Sequence, residues 1–116
     1  SNWQESFISA YSTSHPWEDW AETWAHYLLI VSTIETAYFN NLIPPDKKHI
    51  VDTAIKGKEL SLGHIQFEHF IDLWIFCSLF LNDLSASIGQ RHLYPFAIST
   101  PVEEKLHFVH ETVANA

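Results

Sequence analysis

Between Pro16 and Pro44 the chain contains neither glycine nor proline, and its apolar residues return at every third or fourth position. Trp17, Trp20, Ala21, Trp24, Leu28, Val31, Ile34 and Tyr38 share that spacing, which is the signature of an amphipathic helix. One long helix is therefore predicted here. Pro16 fits its first turn, where the missing N–H would have had no partner. Ser14 or His15 stands at the capping position, and Glu18 and Asp19 complement the positive helix end. Asn40-Asn41 and the Pro44-Pro45 pair forbid continuation.

The rest of the chain follows the same period. A short helix is predicted over Trp3 to Ala10, and another from Asp46 to Ile55 followed by a loop. A second long helix is predicted from His64 to Ser87, apolar on more than one side and so central, with Gly89 as its stop. Pro95 makes the following stretch an extended connector. The last helix begins with Thr100 as cap, Pro101 in the first turn and Glu103 three residues on, and runs to about Ala114. Few signals favour strands. The fold class expected is all-α: a compact bundle of about four to five helices, two of them long, in a single domain over residues 1–116. Apolar residues make up 47% of the chain, enough for one core.

The formal net charge is -8 with only six Lys and Arg, none clustered, so neither nucleic acid nor an anionic membrane is expected as a partner. The longest apolar run lies between Asp72 and Asn82 and is too short to span a bilayer. No signal peptide is visible. The single cysteine, Cys77, lies inside that run and reads as a small buried hydrophobe; it points to a reducing, cytoplasmic compartment.

On a helix, Glu18, Glu22 and His26 stand one turn apart on one side. Two readings remain open. They are a solvated face opposite the core, or they carry chemistry together with Tyr11, seven residues ahead of Glu18. In the second reading the Glu18 carboxylate binds a cation, and Glu22 orients a histidine ligand by accepting its other N–H. The Tyr11 phenol donates a hydrogen bond to the oxyanion formed when water attacks a carbonyl. Other groupings are blander. His64, Glu68 and Asp72 read as a polar edge of the helix predicted from His64 to Ser87. His107 and His110 read as helix-end residues, suited to the negative end of the dipole. His49 and His92 fall in loops.

The segment "SAYSTSHPWEDWAETWAHYLLIVSTIETA" resembles a bacterial family of zinc-binding metallopeptidases, whose members share a Y-A-x-x-HPWEDFAETWAHYLH-type stretch. The tail, "FLNDLSASIG" and then "LYPFAISTPVEEKLHFVHE", is similar to the family's end. More distantly, the Tyr-then-Glu-x-x-Ala-Glu arrangement is similar to gluzincin peptidases. The resemblance implies a zinc-dependent hydrolase of peptide bonds, acting on a peptide or protein substrate. It makes Glu18 the third zinc ligand, Glu22 the acid behind the ligands and Tyr11 the oxyanion-stabilising phenol; His15 and His26 fall in the shared segment without a defined role. The family's zinc-binding histidines belong to an HExxH-type helix upstream, and no HExxH occurs in these residues. Leu29 stands where a histidine is common and Ala86 where arginine is usual. The expectation is a C-terminal portion of a longer metallopeptidase, inert alone because one carboxylate cannot hold zinc tightly. The alternative is a non-catalytic all-α interaction domain. Self-association through aromatic residues of the first two helices is expected of the isolated fragment.

Overall fold

The computed structural model describes residues 16–91 and 98–116, with the backbone alone for Pro16, Trp17 and Glu18. Among the described residues the fold is all-α with one minimal hairpin. Helix α1 spans Pro16–Phe39, α2 Pro45–Ala54, α3 Phe67–Ser87 and α4 Thr100–Ala114. The predicted helix at Trp3 to Ala10 and most of the predicted connector lie outside the described residues.

Each boundary has a local cause. After α1, Asn41 adopts φ 58°, and the Leu42 N–H reaches back to the Ala37 carbonyl at 2.9 Å. This is the left-handed helix ending that glycine or asparagine provides. Pro44 then caps α2 in an extended conformation, and a proline occupies its first turn. Helix α3 ends the same way: Gly89 has φ 80°, and the Gln90 N–H bonds to the Ser85 carbonyl at 2.9 Å. Helix α4 is capped by Ser99 rather than Thr100, which is already helical.

Between α2 and α3 the structure departs from the predicted loop. Strands β1 (Ile55–Lys56) and β2 (Glu59–Leu60) pair antiparallel, Ile55 opposite Leu60. Gly57, the first residue of the two-residue connection, has φ 64° and supplies the conformation such a tight hairpin needs. Leu62–His64 form one turn of 3-10 helix. His64 therefore precedes α3 instead of opening it, and its Nδ1 lies 2.8 Å from Ser61 Oγ. The helical edge expected from His64, Glu68 and Asp72 loses its first member.

The residues group into two compact units. One holds the described residues through Ile30 together with 98–116; the other begins at Val31 and takes in the described residues to Arg91. In the first unit Tyr27, Ile30, Val102, Leu106 and Val109 are buried. In the second, Ile34, Val51, Leu60, Phe70, Leu73, Trp74 and Cys77 are buried. The buried stripe of α1 is not the predicted one. Asp19, Thr23, Tyr27, Ile30, Ile34 and Ala37 are buried, whereas Leu28 is 57% exposed and Ala21 is exposed. Apart from Ile34, the buried positions sit one residue before the predicted ones, a turn of about 100° around the helix axis. Helix α3 has 21 residues and is long and apolar enough to cross a bilayer by length and composition alone. The shorter run counted in the sequence omitted its end turns. Its Asn82 and Ser85 are buried along with Phe70, Leu73, Trp74 and Cys77, the pattern of a core helix.

Candidate metal centre

Helix α1 is unbroken from Pro16, so residues 18, 22 and 26 follow one another by single turns from its first turn upward. Tyr11 and His15 lie outside the described residues, and of Glu18 only the backbone is described. Glu22 and His26 are both half-buried. Burial lowers the His26 pKa from its ordinary value, because an imidazolium is poorly solvated there.

What anchors this turn was not foreseen. Asp19, next to Glu18, is 2% exposed. Lys105 of α4 donates through Nζ to its Oδ2 at 2.5 Å. Thr23 Oγ1 donates to the Asp19 carbonyl oxygen at 2.8 Å, and the Trp20 ring meets Phe108 edge-on at 5.5 Å. About two turns above Asp19, the Tyr27 hydroxyl and His110 Nδ1 share a hydrogen bond of 2.7 Å. Both residues are buried, Tyr27 fully and His110 to 2% exposure, and burial pushes the phenol above its usual range. Two polar links thus tie the first half of α1 to α4 within one unit. The first of them fixes the backbone that carries residue 18.

His110 corrects the helix-end reading: it is part of the buried face of α4. The signal was present. Val102, Leu106 and Val109 recur at spacings of four and three, and His110 follows Leu106 by four, on the same stripe. His107 is different. It is exposed and sits 3.2 Å from Glu111 one turn on, as a surface pair.

Among the described residues no three His, Cys, Asp or Glu side chains gather to hold a metal ion. The Asp19 carboxylate is engaged by Lys105, and His110 by Tyr27. The described donors therefore do not fit a zinc site by themselves, since such sites take three protein ligands.

Comparison with known proteins adds the following. Residues 1–112 match the family described as "Putative zinc-binding metallo-peptidase". Proteins of Mycobacterium bovis and Mycobacterium tuberculosis, each described as uncharacterized, are 40% identical over 111 residues. The match takes in 96% of this chain and 30% of each relative, so the chain spans less than a third of their length. No solved structure matches.

Proposed function

The chain belongs to this family of zinc-binding metallopeptidases, and from that membership we propose that it is the C-terminal helical part of a zinc-dependent peptidase. It contributes one metal ligand, Glu18, one supporting acid, Glu22, and one phenol, Tyr11. Zinc in such a peptidase acts as a Lewis acid toward the scissile carbonyl. The residues of this chain do three things around it. Glu18 offers a carboxylate from the first turn of α1. Glu22, one turn on, accepts an N–H from a ligand and holds it in orientation. Tyr11 donates a hydrogen bond to the carbonyl oxygen as it gains charge. The remaining zinc ligands and the general base come from residues outside this chain, so this portion alone is inert. The substrate is a peptide or protein, and the compartment is the cytoplasm.

The observation that carries this reading is the family match together with a helix that starts at Pro16, which puts position 18 in the first turn and 22 one turn above it. The test is zinc titration of the complete protein. Glu18→Ala should weaken zinc binding by about 100-fold or more, since a lost ligand costs at least as much as a lost supporting group. Unchanged affinity would remove Glu18 from the ligand set and leave a helical scaffold.

A further inference from the structure

Lys105 follows Asp19 by 86 residues, yet its Nζ lies 2.5 Å from Asp19 Oδ2. The Lys105 side chain is 20% exposed and that of Asp19 only 3%. A carboxylate at that depth depends on a cation, because an uncompensated buried charge is costly. The turn it belongs to is the weakest of α1. The first N–H groups of a helix have no partner within it, and end turns fray. Here the turn is tied to α4 twice, by Lys105 at Asp19 and by the Phe108 ring at Trp20. Both ties fall within two residues of position 18, and the Thr23 hydroxyl tightens the same turn through the Asp19 carbonyl.

We infer that Lys105 is a positioning residue for zinc: its ammonium holds the first turn of α1 against α4 and so keeps residue 18 in place for the metal. The inference rests on the proposed role of Glu18 as a ligand. Without Lys105, the Asp19 carboxylate gains by reaching water, and reaching water shifts the backbone that carries residue 18. The sign of the effect identifies the role. Lys105 carries a positive charge, which repels a dication through space. On charge alone, its removal tightens zinc binding; on positioning, its removal loosens it.

The test is zinc affinity of the complete protein, read by competition with a chelator well below the unfolding temperature. Lys105→Met should weaken binding about tenfold, as loss of an orienting group does. With Glu18→Ala already in place, Lys105→Met should cost little more, because its effect passes through residue 18. In the zinc-free protein, amides of residues 20–23, which bond back to the first turn, should exchange faster in Lys105→Met while those of α3 hold their rates. Tighter or unchanged zinc binding, an equal loss in the Glu18→Ala background, or exchange quickened evenly along both helices would each overturn the inference. Should Lys105→Met not fold, Asp19→Asn combined with Lys105→Met removes both charges of the pair and should show the same loss of affinity; unchanged affinity there overturns the inference too. If Glu18→Ala weakens binding and Lys105→Met does not, this inference alone falls and the ligand role of Glu18 stands. If Glu18→Ala has no effect, both fall.

Discussion

At the scale of single residues, two buried polar contacts of the first unit, Asp19–Lys105 and Tyr27–His110, span long sequence distances. The Tyr27 hydroxyl and His110 Nδ1 meet at buried positions, so losing the bond leaves a buried polar group without that partner. Tyr27→Phe keeps the ring and removes the bond. The expected cost is about 1–3 kcal/mol, read from the shift of a urea unfolding curve; a shift near zero would mean the bond contributes nothing net. His26 adds a pH dependence. Its pKa is lowered in the folded protein from 6.5, so the unfolded chain binds the proton more readily. The contribution of His26 is then fully present above pH 6.5 and is lost as the pH falls toward the folded value. His26→Gln should flatten this part of the curve. Unfolding midpoints of parent and variant from pH 8 down to pH 5, about the span in which histidine titrates, should differ by an amount that shrinks or reverses on acidification. A constant difference would show that His26 does not titrate on folding.

At the scale of elements, the helix endings rest on backbone conformations that few residues adopt. Gly89 has φ 80°, and a methyl group placed on it would meet nothing within 4 Å. Gly89→Ala therefore isolates the conformational term, and about 1 kcal/mol of stability should be lost, measured as a fall in Tm. The same features explain what the sequence revealed. The start of α1 at Pro16, its end at the paired asparagines, the stop at Gly89 and the reach of α4 to Ala114 follow from proline geometry, left-handed caps and three-four periodicity. The hairpin did not, because strands of two residues carry no period; only Gly57 within a Lys-Gly-Lys turn hinted at it. The buried side of α1 was misplaced because Trp20, Trp24 and Leu28 make a wide apolar surface next to the stripe of Asp19, Thr23 and Tyr27. Hydrophobicity favours the former. The pairing of Asp19 with Lys105 and of Tyr27 with His110 favours the latter, and those partners lie more than eighty residues away. The roles of Tyr11, Glu18 and Glu22 were read from the resemblance; the link from Lys105 to Asp19 was not foreseen, since no local pattern announces it.

At the scale of the whole molecule, the roles proposed for Glu22 and Tyr11 separate by what each touches. In the complete protein, the role proposed for Glu22 predicts that Glu22→Gln weakens zinc binding by about 10-fold or more, as loss of an orienting group does. The role proposed for Tyr11 predicts that Tyr11→Phe leaves zinc affinity unchanged and lowers kcat by about 100-fold or more, as loss of an oxyanion donor does. Equal effects of both substitutions on both quantities would assign them a shared structural role instead. The links Tyr27–His110 and Asp19–Lys105 also bear on how the protein is made, since they join positions 83 and 86 residues apart. Their second partners are synthesised more than eighty residues after the first. At a synthesis rate of about 5–20 residues per second, the nascent turn around residue 18 waits several seconds before it can be clasped. A message truncated ahead of Lys105 would release a chain in which the first unit never closes, and such products should be the ones that quality-control proteases clear first.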